Sequence, residues 1–288
     1  MRSFFKENAV ELFVSYYNSY VPESFVETTG TYVAKKCSVN DEIDALRHRA
    51  TRALLERKDV VVVASVSCIY GLGLPAEYLD ASTSIAVNNE VVLLELIERL
   101  EAMLYTRPDN ADEMLRGNYQ LSAANLFGSE ETHILSLWPP HERFPARVEL
   151  ETQNDVTSIK SILSTNEAGG MAQLESLHIF PAKHHVIAED RMEEACLKIE
   201  HEMKDRVREL TYIGKLVEAQ RLQQRVVNDL LLLRETGFCP GAENYSRHFA
   251  GRDAGEPPDT LMDYMSMAGN GDWLLVVDES HVTLPQLK

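Results

Sequence analysis

Residues 273–281 read W-L-L-V-V-D-E-S-H, and no other stretch limits the fold of this chain as tightly. An apolar run that ends in two acids matches a buried strand of a parallel sheet. Such a strand is apolar on both faces and delivers the residues after it to the C-terminal edge of the sheet. There Asp278 can hold Mg²⁺ through its waters, and Glu279 can polarise an attacking water, the division of labour that phosphoryl transfer from a nucleotide requires. An ordinary strand with a polar end has the same pattern.

Ser280 and His281 complete D-E-x-H, the Walker B form of helicase-type motor ATPases. The loop that would cradle the phosphates, G-x-x-x-x-G-K-[ST], occurs nowhere in the 288 residues.

At 44% apolar the chain can bury one large core or two to three small ones. No apolar run approaches the ~20 residues of a membrane span. The N-terminal residues M-R-S-F-F-K-E-N-A-V-E-L-F carry acids where a signal peptide is apolar, so a cytoplasmic protein is expected. Cys37, Cys68, Cys196 and Cys239 stand far apart and are expected to be reduced. His133, His141, His184, His185 and His201 lack metal-ligand spacing.

A net charge of −17 argues against nucleic acid as a partner, but the charge is unevenly spread. Residues 30–58 hold seven bases against four acids, whereas residues 59–115 hold ten acids against two bases. The basic segment can hold a phosphate backbone weakly and in a salt-dependent way; a solvated helix face gives the same count.

Periodicity orders the rest. Residues 8–17 are expected to form a strand. The segments on either side of Thr28-Thr29-Gly30 then read as a β-hairpin. Asn40 followed by Asp41 and Glu42 opens a helix with Ile43, Leu46, Ala50, Ala53 and Leu54 at helical spacing. Residues 60–63 are a second buried strand. Residues 90–104 form an amphipathic helix, and residues 116–180 are short strands and loops, a separate small domain with a surface loop near 166–171. Residues 188–236 are two long helices broken at Gly214 and ended by Gly237. A Gly/Pro-rich loop at 251–258 leads into the final strand.

Tyr16, Tyr17, Tyr20, Phe25 and Tyr32 fall within 17 residues, beside Lys35 and Lys36. Aromatics interleaved with bases can stack on exposed nucleobases while the lysines hold phosphate. The same aromatics can equally form a hydrophobic cluster. Glu243-Asn244-Tyr245-Ser246-Arg247-His248 can line a nucleic-acid channel or form hydrogen-bonded turns.

Four segments carry a resemblance: F-V-S-Y-Y-N-S-Y-V-P-E-S-F-V at 13–26, residues 40–73, Q-R-L-Q-Q-R with G-F-C-P-G-A-E-N-Y-S-R-H, and V-V-D-E-S-H-V-T-L-P-Q. They resemble the UvrB-type damage-recognition subunits of the bacterial excinuclease ABC system. The resemblance implies an α/β fold. Its core is an incomplete helicase-type (P-loop NTPase, RecA-like) parallel sheet, with an inserted β-hairpin, a helical segment and a small α+β partner-binding domain. It implies a partial motor at 1–14, 41–80 and 259–288, a hairpin-bearing helical part at 15–40 and 187–258, and a UvrA-interaction-like domain at 81–186.

The resemblance further implies damage verification in nucleotide excision repair, with DNA, UvrA-type and UvrC-type proteins as partners and ATP with Mg²⁺ as cofactor. It assigns Tyr16, Tyr17, Tyr20, Phe25, Tyr32 and Lys35 to the hairpin, and Arg225 and Glu243 to the DNA channel. Arg107, Arg147 and Glu149 fall to the partner surface, and Asp278 and Glu279 to catalysis, with Asp278 on Mg²⁺.

Some positions depart from the family pattern. Ser19 and Phe25 stand in place of tyrosines and Ala34 in place of an acid; Gln120 and Ser122 replace two arginines, and extra residues occur at 127–133. Without the Walker A loop this polypeptide alone is expected to turn over negligible ATP. A non-catalytic module that binds a UvrA-type partner is the alternative. A relative of the transcription-repair coupling factor is a third, opposed by the aromatic hairpin and the intact D-E-S-H.

Overall fold

The structure, a computed structural model, describes residues 1–286 except 16, 22–23, 27–30, 34–35, 111–112, 125–130, 154–155, 166–168, 188 and 269–271. The chain is mixed α/β and divides into two units, residues 1–70 with 260–288, and residues 71–259. Among the described residues no helix is long and apolar enough to cross a membrane.

In the first unit, β1 (Ala9–Phe13) runs parallel to β6 (Val60–Ala64), with Ala9 opposite Val60 and Phe13 opposite Ala64. The crossover includes α1 (Asp41–Glu56), begun where expected: the Asn40 side chain accepts the Glu42 N–H at 2.9 Å, and acids fill the first turn. Ala45, Ala50, Ala53 and Leu54 are buried, and so are Arg47, His48 and Thr51, which apolar periodicity does not anticipate. Arg47 lies 4.1 Å from the centre of the Phe13 ring and donates Nη1–H to the Val14 carbonyl at 2.9 Å, so its charge is held in a polar and aromatic cradle.

Between β1 and α1 lie β2 (Tyr17–Val21), β3 (Ser24–Val26), β4 (Thr31–Val33) and β5 (Lys36–Val39). β3 pairs antiparallel with β4 and β2 with β5, so the expected hairpin is present. Its turn at 28–30 lies outside the described residues.

Two expectations are corrected here. Residues 60–63 form a strand, but a half-exposed one; Val63 is 40% exposed because the sheet of β1 and β6 has two described strands and little to cover it. Residues 272–277 form no strand, and the loop at 251–258 leads instead into α7 (Leu261–Ala268), which packs on α1. Leu274 and Val276 are 82% and 78% exposed. A strand exists only where a neighbour takes up its amides and carbonyls, and no described ladder includes these residues. The D-E pair therefore follows a mostly exposed segment without regular structure and precedes α8 (Ser280–Gln286).

The second unit begins with α2 (Pro75–Asp80). β7 (Thr83–Ala86) pairs with β14 (Ser176–Ile179), and β8 (Glu90–Val91) with β12 (Val156–Thr165). The amphipathic helix expected at 90–104 is α3 (Leu93–Ala102). β9 (Tyr119–Ala124), β10 (Glu131–Leu137), β11 (Ala146–Gln153), β12 and β13 (Met171–Leu174) form an antiparallel meander. Its inner face buries Leu135, Leu137, Val148, Leu150, Ile159 and Ile162 against Leu96 and Leu100 of α3, each side chain contributing ~1.5–3 kcal/mol. The loop expected near 166–171 lies partly outside the described residues.

α4 (Glu189–Tyr212) and α5 (Leu216–Thr236) pack together as the sequence indicates. Cys196, Ile199 and Met203 meet Val226, Leu230 and Leu233 in one core. Gly214 separates the helices at φ 81°, and Gly237 ends the second at φ 72°, donating its N–H to the Leu233 carbonyl. A 3-10 turn (Ala242–Tyr245) and α6 (Ser246–Phe249) close against the pair. The unit's two ends meet, with the Leu72 N–H donating to the Asp259 carbonyl at 2.9 Å.

Candidate nucleic-acid and partner surfaces

The hairpin aromatics hold defined register positions. Phe25 stands directly opposite Tyr32 in register, and Tyr20 stands opposite Cys37 after an irregularity that begins at Tyr17. Tyr16 and Lys35 lie outside the described residues.

Arg225 and Glu243, eighteen positions apart in sequence, come to the same loop. The α5 helix presents an exposed Arg225 whose Nε is 3.8 Å from Asp229 Oδ2 one turn on. Its guanidinium reaches Gly241, where an added Cβ would stand 3.3 Å from Nη2; Gly241 has φ 86° and caps the turn that carries Glu243. Asp229 is buried and accepts the Tyr245 hydroxyl at 2.6 Å. Burial first, then Asp229, holds the Tyr245 hydroxyl well above its ordinary pKa. Burial, then the charges of Asp229 and Glu243, pushes the Cys239 thiol up to about 12. Sequence reasoning named Arg225 and Glu243 but not Asp229, whose signal was the R-x-x-x-D spacing on one helix face.

A second polar cluster uses the same E-N-Y-S-R-H run. Glu202 on α4 accepts the Arg247 Nη2–H at 2.6 Å and lies 2.5 Å from His248 Nε2. Burial works to raise the Glu202 pKa, but the bond to His248 and the charges of Arg247 and His248 outweigh it and hold the carboxyl below its usual range.

On the meander, register sets the partner residues in two rows. Gln120, Ser136 and Arg147 form one, and Ser122, Ile134, Glu149 and Ser161 the next. These positions alternate with the buried ones, so they lie on the outer face. Arg147 is exposed, and Glu149 accepts the Ser161 hydroxyl at 2.7 Å. Arg107 is exposed just after Thr106, which bridges to Asn118 beside the same strand edge. Gln120 and Ser122 thus occupy the very face that carries Arg147 and Glu149.

Asp278 and Glu279 do not fit a nucleotide site here. The Asp278 carboxylate accepts the Glu279 N–H at 2.9 Å, and Glu279 sits at φ 48°. The Glu279 carboxylate lies 3.4 Å from His281 Nδ1, with the two side chains 70% and 76% exposed. A magnesium nucleotide needs converging oxygens and a phosphate cradle. The described residues around this turn supply an open surface.

Residues 190–251 match a family model described as the UvrB third helical domain. UvrABC system protein B of Gloeothece citriformis (strain PCC 7424) is 48% identical over 288 residues, which is 100% of this chain and 41% of that protein. The protein of the same name from Nostoc sp. (strain PCC 7120 / SAG 25.82 / UTEX 2576) is 48% identical over 289 residues, covering 100% and 41%. That of Cyanothece sp. (strain PCC 7425 / ATCC 29141) is 46% identical over 290 residues, with the same coverage. The chain spans about two-fifths of the length of these curated relatives, at the 41% coverage they share.

Proposed function

From a chain that is homologous along its whole length to part of UvrABC system protein B, we propose a protein that handles DNA in nucleotide excision repair. The observation that carries this reading is the antiparallel hairpin of residues 17–39, which sets Phe25 opposite Tyr32 and has Tyr17 and Tyr20 on its other ladder. Aromatics on such a ribbon stack on unpaired bases at ~1–3 kcal/mol each, with little regard for sequence. The resemblance adds Tyr16 and Lys35 as DNA contacts and, in the second unit, Arg225 and Glu243. In this reading residues 1–14, 41–80 and 259–288 contribute part of a helicase-type, RecA-like motor domain, and residues 15–40 with 187–258 the hairpin-bearing part. UvrA-type and UvrC-type proteins are the partners.

The test is fluorescence anisotropy of the whole chain with a short labelled single strand at low and moderate salt. Binding that weakens steeply with salt and is lost in Tyr17→Ala with Tyr20→Ala, while circular dichroism is unchanged, is the expected result. Binding that ignores both changes would sink the reading.

A second reading rests on the outer meander face, where Arg147 and Glu149 stand side by side and exposed or half-exposed. Here residues 81–186 act as a module that binds a UvrA-type protein without catalysis. A pull-down that recovers no UvrA-type partner would remove it.

A further inference from the structure

Most apolar residues of α4 and α5 turn inward along the pair; Leu197, Val227 and Leu231 are exposed singly along its sides, and a group of four is exposed at the tip. Tyr212 is 91% exposed, Ile213 60%, Leu216 62% and Val217 62%, and every residue from 211 to 218 is exposed. Gly214, at φ 81°, makes the reversal that gathers these four side chains at one end of the helical hairpin. Large apolar side chains grouped in water mark a contact site.

Charge and size decide what the tip meets. Residues 206–221 hold four bases (Arg206, Arg208, Lys215 and Arg221) against two acids, in a chain of net charge −17. Arg206 and Arg208 make exposed ion pairs along α4 with Glu209 and Asp205, which exchange for phosphate at little cost. Among the described residues Lys215 has no ion-pair partner. Four side chains at the end of a two-helix hairpin offer far less than the ~800 Å² that each side of a stable protein interface buries. An apolar, tyrosine-bearing tip ringed by cations is instead the chemistry of a base-stacking contact.

We infer that the α4–α5 tip is a second nucleic-acid contact, with Tyr212 stacking on an unpaired base, Ile213, Leu216 and Val217 pressing on its neighbours, and Lys215 and Arg208 holding phosphates. The inference rests on the DNA-handling reading and adds to it a site remote in sequence from the hairpin aromatics.

The experiment compares the whole chain with two variants, Tyr212→Ser/Ile213→Ser and Lys215→Glu, beside Tyr17→Ala/Tyr20→Ala. The probe is a labelled oligothymidine carrying one 5-iodouracil. The tip variants are expected to melt like the parent, because the altered side chains are exposed. They should bind about tenfold more weakly, Lys215→Glu should flatten the salt dependence, and irradiation should cross-link Tyr212. Parental affinity in both tip variants, without a Tyr212 cross-link, would overturn the inference and leave the hairpin reading intact. Tip variants that bind DNA normally but lose self-association in sedimentation would overturn it in favour of a protein contact. Weak binding confined to the tip variants would uphold it at the hairpin's expense, and a parent that binds no DNA would remove both.

Discussion

Tyr245 donates its hydroxyl to Asp229 Oδ2 at 2.6 Å, pinning the 3-10 turn that carries Glu243 to the α5 helix that carries Arg225. Asp229 is only 7% exposed, so the phenol supplies solvation that water cannot. Tyr245→Phe leaves that carboxylate, among the described residues, with Arg225 at 3.8 Å. Chemical denaturation should show a loss of about 1–3 kcal/mol. A variant as stable as the parent would mean that the turn is held by its apolar contacts.

Cys239 links the same cluster to alkaline pH. Its thiol ionises at 9.0 in a reference state and at about 12 in the fold, where burial acts first and the nearby acids second. The folded value is raised, so this stabilisation is complete below the unfolded pKa and is lost as pH rises through the folded one. Stability should therefore fall between about pH 9 and about pH 12, and the gap between parent and Cys239→Ala should narrow over that range. Tyr245, also raised, acts in the same direction at higher pH. Urea unfolding at stepped pH measures both; a constant gap would count against the Cys239 contribution.

Gly73 has φ 98°, and a Cβ built there would stand 2.4 Å from the carbonyl oxygen of His184. The obstacle is backbone, which cannot rotate aside. Gly73→Ala should cost about 1–3 kcal/mol from overpacking, with backbone strain in addition. The thermal midpoint should fall accordingly, whereas Gly169→Ala, with nothing within 4 Å of its Cβ, should suffer strain alone.

On the outer meander face, Gln120 heads the row that includes Arg147, and Ser122 the row that includes Glu149. If that face receives a UvrA-type protein, Gln120→Arg with Ser122→Arg supplies two charge-assisted donors, each worth ~1.5–3 kcal/mol when paired. Calorimetry should then show at least about tenfold tighter binding. Unchanged affinity would move the contact to another surface.

Elements that carry their own instructions were legible in the chain. Asn40 and the acids after it opened α1, while Gly214 and Gly237 bounded the long helices through their left-handed backbone. The hairpin followed from two extended runs around a glycine turn. What misled was the apolar run at 273–277, because a run states that a segment suits a strand but not which neighbour will hydrogen-bond it. The same limit hid α7, whose eight residues are too short for a clear period. Arg47 escapes apolar periodicity because its burial depends on Phe13, a contact that no helical spacing encodes, whereas His48 stands one turn from Asp44 on α1, a spacing the sequence does show. At the candidate surfaces, residue types were readable, but the adjacency of Arg225 and Gly241, or of Gln120 and Arg147, emerges only from folding and register.

The hydrogen bond from Leu72 to Asp259 has a consequence for modularity. Residues 71–259 begin and end side by side, so this unit has the adjoining termini of an inserted cassette. Such a cassette can be cut out and its ends fused by a few residues, or its termini moved to the α4–α5 tip by circular permutation, without stretching either part.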